Sequence, residues 1–423
     1  MTTPDLIIIG AGPGGYRAAE HAARHGLKVV IAERDEVGGT CLNRGCIPTK
    51  TYVHASSFKE AVERQQQVVT QLRAGVETIL AHPNITLLRG EAHFVSPQAV
   101  SVGGDTIAAP NIIIATGSTA KLLPLPDIDD PRVVTSTELL QLTTLPRKLC
   151  IIGAGVIGME FASVFHRFGS EVTVMEYLKE CLPMLDSDIA KRLRKLLEKR
   201  GINFKMKTAV QGLADIDADV ILMATGRKAN TEELNLEAAG IALAPNGTIP
   251  VDDHFRAVPD LSEETGSAAI FAIGDVNGRQ MLAHAAEMQA KRVIDEIVGT
   301  LRPTEEWGEN PIPAAIFTEP EAACVGPSED QLKAQGTPYE CRKAFWRANG
   351  KALTMGQTEG MLKLFSEPDA GRIIGCHAYG AHAADIVQEA SVLMCCNATV
   401  EQLRYMVHIH PTLGEILLTA AEQ

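Results

Sequence analysis

Two cysteines, Cys41 and Cys46, stand five positions apart in VGGTCLNRGCIPTK, with Lys50 four positions further on. Thiols at that spacing can be bridged if the backbone bends, since a disulfide needs Cα atoms within about 7 Å. Pro48 and the helical AVERQQQVVTQLRAGVETIL downstream put Cys46 at or near a helix start, where a thiol loses its proton more easily. Lys50 adds positive charge suited to an anionic sulfur. The chemistry such a pair can do is thiol–disulfide exchange. A metal site would instead use C-x2-C pairs with further Cys or His ligands. The chain has no such pair, and no metal ligands are assigned. The competing reading is two unrelated buried cysteines.

A second candidate group lies near the end of the chain, in MVHIHPTLGEIL. His408 and His410, at i and i+2, fit one face of a strand or a metal pair, and alone they read as structural. Glu415, five positions after His410, supplies the carboxylate that fixes an imidazole tautomer and makes the ring a better base. Dithiol exchange needs a group that accepts and returns a proton. The histidine reading therefore depends on the cysteine reading.

The elements that must position these residues show an internal echo. DLIIIGAGPGGYRAAEHAARHGLKVVIAERD begins at Asp5, and LCIIGAGVIGMEFASVFHRFGSEVTVMEY begins at Leu149. Each reads as an apolar strand, a glycine-rich turn, a helix ending near a glycine and a second strand closing on glutamate. The glycines are Gly10, Gly12 and Gly15 in the first copy, and Gly153, Gly155 and Gly158 in the second. Glu33 lies 23 residues after Gly10, and Glu176 lies 23 after Gly153. A lone GxGxxG is weak, but strand, helix and carboxylate in register make each copy credible. The glycines allow a tight turn, approach of a pyrophosphate to the backbone, and close helix–strand packing. The helix N-terminus then favours the anion. Two dinucleotides are expected. Glycines kept only for packing are the alternative.

Further runs close each unit. NIIIATGS and DVILMATGRKAN are buried strands ending in Ala-Thr-Gly, which makes Gly117 and Gly226 candidate cofactor-contacting positions. AIFAIGDV carries Asp275 at the end of another strand, ahead of the helical AHAAEMQAKRVIDEIVG. Leu122–Pro131, rich in proline and aspartate, reads as the linker between the dinucleotide units. From about Pro311, KALTMGQTEGMLKLF and GRIIGCHAYG suggest antiparallel strands followed by helices, a mixed α+β domain.

At 423 residues the chain is long enough for two or three domains. Its 45% hydrophobic and 22% charged content is that of a globular protein with ample core. A net charge of −13 argues against nucleic-acid binding. The apolar run Leu6–Ile9 is too short for a signal peptide or a membrane span, so a cytoplasmic protein without membrane association is expected. Nine cysteines do not suggest a secreted disulfide framework; one special pair among inert core thiols fits better.

GAGPGG, GGTCLNRGCIPTK, GAGVIG, ATGR, AIGDV, FTEPEAACVG and HIHPTLGE, in that order, resemble the pyridine nucleotide-disulfide oxidoreductases over nearly the whole chain. The resemblance is nearest to the members that oxidise protein-bound dihydrolipoamide with NAD+. It implies an α/β fold with two Rossmann-like domains, for FAD and NAD, and a C-terminal α+β dimerisation domain. The segments would be 1–122 (FAD, with the redox pair), 123–243 (NAD), 244–308 (a central segment completing the FAD domain) and 309–423 (interface). Gly10, Gly12, Gly15 and Glu33 would hold the adenosine and pyrophosphate of FAD, and Asp275 its ribityl chain. Cys46 would lie against the flavin as the charge-transfer thiolate, while Cys41 exchanges with substrate. Lys50 would approach the flavin and pair with Glu160. Gly153, Gly155, Gly158 and Glu176 would hold NAD. Glu176 itself favours NAD, since it would accept from a ribose hydroxyl and repel a 2′-phosphate. His410, oriented by Glu415, would act at the partner subunit's cysteine pair in a homodimer. The macromolecular partner would be a lipoyl domain or H-protein, of a 2-oxoacid dehydrogenase or glycine cleavage complex.

Two departures from the family pattern stand out. Between Gly201 and Ala224 the second unit lacks the antiparallel excursion usual there, which predicts a less stable NAD segment. Ala229 stands where the family commonly has proline. Rival functions are another FAD-dependent disulfide reductase, or a flavin-binding redox scaffold without turnover. A mercuric reductase would need a cysteine pair at the extreme C-terminus, whereas Cys395 and Cys396 fall in a helical stretch.

Overall fold

The computed structural model describes residues 3–257, 268–301 and 311–423. By its internal packing the chain divides into two compact units.

The first unit comprises Met1–Lys121, Ser136–Gln141 and Gly226–Leu301. Its centre is a five-stranded sheet in the order Ala269–Ala272, Asn111–Ile114, Leu6–Ile9, Val29–Glu33 and Ile85–Arg89, parallel throughout. Leu6 and Ile8 face the alanine surface of the helix Pro13–Arg24 and Val293 and Ile294 of the helix Ala283–Ile297. Ile7 and Ile9 face the other way, onto Phe94, Val100 and Val102 of an antiparallel ribbon that runs through Ala92–Ser96, Ala99–Val102 and Asp105–Ala108. A strand covered on both faces must be apolar at every position, and LIII is. The small strand Arg227–Ala229 pairs antiparallel with Ser118–Ala120. Residues 226–243, expected with the NAD segment, thus lie in the first unit, where Leu234, Leu236 and Ile241 join the core under the ribbon.

The second unit comprises Leu122–Thr135, Leu142–Thr225 and Arg302–Gln423. It holds a second parallel sheet, ordered Asn203–Met206, Glu171–Glu176, Lys148–Ile152, Val220–Met223 and Val133–Val134. Among the described residues no antiparallel ribbon covers this sheet, yet one face of it is still covered. Leu123, Leu125 and Ile128 of the supposed linker, with Val210, Leu213 and Ile216, pack on Cys150, Ile152, Ile221 and Met223. Arg132 fastens this cover by donating to the carbonyls of Ile216 at 2.7 Å and Leu213 at 3.1 Å, and Asp127 accepts from the N–H of Leu213 at 2.6 Å. The segment read as a linker is thus part of a domain core.

The C-terminal part of this unit is an antiparallel sheet in the order Ala314–Ile316, Glu321–Val325, Ile373–Gly380, Met361–Ser366 and Glu340–Phe345. Trp346, Leu362, Leu364 and Cys376 form its core with Ile386 and Val387 of the helix Ala383–Cys395. One expectation is corrected here. The run KALTM is a helix, Gly350–Met355, because Asn349 caps it by accepting from the N–H of Ala352 at 3.0 Å; only the end of that stretch, from Met361 on, lies in a strand, Met361–Ser366. The expected boundary between 308 and 309 lies outside the described residues.

Within the second unit, polar ties join the parallel-sheet part to the C-terminal sheet. Lys363, buried, donates to Asp186 at 2.6 Å and to Glu329 at 2.8 Å. Asp186 caps the helix Ser187–Arg200, and its own N–H donates to Nδ1 of buried His377 at 3.0 Å. Burial keeps the His377 ring below its ordinary pKa, so it stays neutral and able to accept. The N–H of Phe317 donates to Glu160 at 2.9 Å, and that of Glu319 to Ser163 at 2.9 Å.

Candidate active site

Cys41 lies in the short helix Gly39–Arg44, and Cys46 opens the next, Cys46–Val53. Gly45 joins them at φ −138°, ψ −111°. A Cβ there would stand 2.9 Å from the carbonyl of Thr40, so only glycine lets the two helices turn this closely. The turn brings the thiols together. Hydrogen bonding to Cys46, reinforced by burial, holds the Cys41 thiol far above its ordinary range, against the charge of Lys50 nearby. Cys46 stands at the first position of its helix, a place that favours a thiolate.

Two residues that motif reading passes over brace this loop. Asn43 donates to the carbonyls of Val37 at 3.0 Å and Gly39 at 2.9 Å, and Arg73 donates to its side-chain oxygen at 2.8 Å. No pattern in the sequence flags Arg73, because it lies 30 residues away on another helix.

The cysteine loop also abuts the first glycine turn. Gly39, at φ +59°, sits so close that a Cβ on it would come within 2.7 Å of the Gly12 Cα. The two glycine turns are built alike. A Cβ on Gly15 would fall 1.8 Å from the Gly10 carbonyl oxygen, and one on Gly158 would fall 2.0 Å from that of Gly153. A Cβ on Gly155, by contrast, would meet nothing within 4 Å. The first and third glycines are thus demanded by the fold, while the second leaves an open cradle at a helix start, as a pyrophosphate requires.

The two acidic residues repeat the pattern. Glu33 accepts from the N–H groups of Ala11 at 2.7 Å and Asp35 at 2.9 Å. Glu176 accepts from those of Ala154 at 2.6 Å and Leu178 at 2.7 Å. Each carboxylate has about four lone-pair sites, so two remain for a ribose.

Asp275 lies in the short turn Gly274–Asn277 that follows the strand Ala269–Ala272, held by a hydrogen bond from Ser118 and an ion pair with Arg227 at 3.6 Å. Arg227 also donates to the Ser118 hydroxyl at 2.7 Å. Buried Gln289 fixes the preceding turn by accepting from the N–H of Gly274 at 2.7 Å. Gly117 and Gly226, at φ +69° and +110°, both have open space where a side chain would go. Lys50 is half-buried in the first unit, and Glu160 is buried in the second.

His410 is 79% exposed, and its Nδ1 lies 2.9 Å from Glu415 Oε1. The N–H of Thr412 donates to the other Glu415 oxygen at 2.8 Å. That bond, together with the His410 ring, holds the Glu415 carboxyl below its ordinary range. An ionised carboxylate can only accept, so the proton sits on Nδ1 and Nε2 is free as a base. His408 is used differently, with Nε2 2.9 Å from Glu389. Around the dyad Tyr405, Val407 and Ile409 are 83%, 98% and 80% exposed, an apolar strip of the kind that another protein surface covers.

Comparison with known proteins decides the family. Residues 4–290 match the model described as pyridine nucleotide-disulphide oxidoreductase, and residues 312–421 match that family's dimerisation domain. The chain belongs to the pyridine nucleotide-disulphide oxidoreductases. Mitochondrial dihydrolipoyl dehydrogenase of Pisum sativum is 35% identical over 466 aligned residues, covering 99% of this chain and 90% of the relative. Leghemoglobin reductase of Glycine max is 35% identical, covering 99% of this chain and 87% of the relative. Among solved structures, the Cu(II) complex of the HOCl-induced flavoprotein disulfide reductase RclA from Escherichia coli superposes with a TM-score of 0.91. It is 30% identical and covers 100% of this chain and 99% of that one.

As a member of this oxidoreductase family the protein is a flavoprotein disulfide oxidoreductase that uses FAD and NAD(H). The open cradle beside Gly155, and the turn of the same build at Gly12, fit those dinucleotides. Among the described residues no helix is long and apolar enough to cross a membrane.

Proposed function

We propose that this oxidoreductase is a cytoplasmic, NAD-dependent dihydrolipoyl dehydrogenase that takes electrons from protein-bound dihydrolipoamide. The observation that carries the proposal is the paired thiols of Cys41 and Cys46, beside a glycine turn shaped for a dinucleotide. The dihydrolipoyl dehydrogenases among the relatives, at 35% identity over 99% of the chain, support the choice of substrate.

His410, its Nδ1 proton held by Glu415, takes a proton at Nε2 from one thiol of dihydrolipoamide. The resulting thiolate attacks the Cys41 sulfur of the Cys41–Cys46 disulfide; a mixed disulfide forms and Cys46 leaves as thiolate. The second substrate thiol passes its proton to Cys41 as it displaces that sulfur from the mixed disulfide, oxidised lipoamide departs, and the first proton remains on His410. Two electrons have moved from the substrate to the cysteine pair. FAD, when bound, supplies the two-electron link from this pair to NAD+. Gly10, Gly12, Gly15, Glu33 and Asp275 would hold FAD, with Gly117 and Gly226 giving it backbone clearance. Gly153, Gly155, Gly158 and Glu176 would hold NAD, and Lys50 and Glu160 would steady the flavin side of the site. The exposed strip beside His410 favours a homodimer in which this base serves the partner's cysteines. The delivering protein would be a lipoyl domain or H-protein.

A second reading, a reductase for another disulfide or oxidant, is favoured by the RclA structure at TM-score 0.91. Turnover of dihydrolipoamide with NAD+ separates them. Steady turnover on a lipoylated carrier domain supports the first reading. Flavin reduction by NADH without any dihydrolipoamide oxidation would replace it with the second.

A further inference from the structure

Away from the redox site, His21, His25 and Asp295 bring three ligand atoms within 4.8 Å of one another. We propose that these residues bind a divalent transition-metal ion of the imidazole-preferring class, Zn2+ being its simplest member, and thereby clamp two helices of the first unit.

Three independent features converge. His21 and His25 are four positions apart at the end of the helix Pro13–Arg24, so they share one face. Asp295 comes from the neighbouring helix Ala283–Ile297, and its Oδ1 lies 2.7 Å from His21 Nε2. Two nitrogens and a carboxylate oxygen, with His25 exposed to solvent, make the donor set of an open three-ligand site completed by water.

The electrostatics favour a cation at this point. The two helices run parallel: Gly14 sits beside Ala286 at one end, where a Cβ on Gly14 would lie 3.4 Å from that of Ala286, and His21 sits beside Asp295 at the other. Their C-terminal ends therefore meet at the cluster, and each contributes roughly half a negative charge. Binding releases the proton that His21 Nε2 shares with Asp295, while His25 needs no change. His25 Nδ1 lies 2.9 Å from the His21 carbonyl oxygen, which can only accept, so this nitrogen carries the proton and Nε2 is in the form that ligates.

Donors at about 2.0–2.1 Å from Zn2+ sit roughly 3.3 Å apart in a tetrahedral shell. The His21–Asp295 pair, at 2.7 Å, opens by about half an ångström on binding. One hydrogen bond is exchanged for two metal bonds, and the clamp spans the helices whose other ends flank the dinucleotide cradle.

The test is a calorimetric titration of chelator-treated, FAD-loaded, air-oxidised protein with Zn2+, comparing wild type with His25→Ala and Asp295→Asn. We expect one site in the wild type, weakened at least tenfold in both variants, and a Zn2+-induced rise in melting temperature that His25→Ala abolishes. His25 is exposed, so its variant should melt like wild type without metal. Zn2+ binding of equal strength in all three proteins would place the metal elsewhere, and no binding to wild type would end the proposal.

Discussion

His410 and Glu415 are joined at 2.9 Å, ring Nδ1 to carboxylate Oε1, with the second carboxylate oxygen anchored by the N–H of Thr412. This arrangement fixes which nitrogen of His410 is basic. Replacing His410 with Gln should slow dithiol oxidation by about 10²–10⁴-fold, the usual worth of a positioned base. Glu415→Gln should have a smaller effect of the same kind, because an amide can offer an N–H to Nδ1 and reverse the tautomer. Reduction of the flavin by NADH should be unchanged in both, since neither residue belongs to the nucleotide sites. Stopped-flow traces of the two half-reactions read this directly.

The second glycine turn separates folding from binding. At Gly155 an added methyl group meets no protein atom, whereas at Gly158 it would land 2.0 Å from the Gly153 oxygen. Gly155→Ala should melt like wild type and raise the KM for NADH at least tenfold by filling the cradle. Gly158→Ala should lower the melting temperature as well. Equal melting losses in the two variants would contradict the assignment.

Arg132 is the fastener of the cover over the second parallel sheet. Arg132→Ala removes the donors to the carbonyls of Leu213 and Ile216. The expected result is a drop of about 5 °C in the melting of this unit, with earlier proteolysis in 122–133. Unchanged protease resistance would show that the apolar contacts suffice alone.

Glu329 gives the second unit an acid sensitivity. Burial pushes its carboxyl upward, but hydrogen bonds from Lys333, Lys363 and Tyr339 prevail and hold it at about 2, against an ordinary 4.5. A carboxyl depressed by folding stabilises the native state fully above pH 4.5, and that contribution drains away as pH falls toward 2. Unfolding midpoints measured across this window should fall less steeply with acid in Glu329→Gln than in wild type. Lys363→Met, which removes the counter-ion of the buried Asp186 carboxylate and leaves it backbone N–H donors alone, should cost about 3 kcal/mol at neutral pH.

Much of this molecule was legible in the sequence because its chemistry depends on local spacing. Both glycine turns and the strands that precede them are each set within some 30 residues, and there motif and structure agree. Long-range partnership was not legible. Arg73 braces the cysteine loop through Asn43, and Lys363 joins Asp186 across 177 positions; neither pairing leaves a periodic trace. The segment 122–131 misled for a related reason. Proline and aspartate read as linker, yet Leu123, Leu125 and Ile128 between them supply an apolar face that is recognised only when the sheet beneath is seen. KALTM misled in the opposite way: its alternation suited a strand, and the Asn349 cap made it a helix.

We propose that Cys46, not Cys41, carries the thiolate against the bound flavin. Anaerobic reduction of the FAD-loaded protein with dihydrolipoamide, and separately with NADH, tests it through the long-wavelength absorbance that a thiolate–flavin contact produces. The band is expected in wild type on two-electron reduction, in Cys41→Ser without any reductant, and never in Cys46→Ser. A band that survives in Cys46→Ser, or that Cys41→Ser alone abolishes, would contradict it.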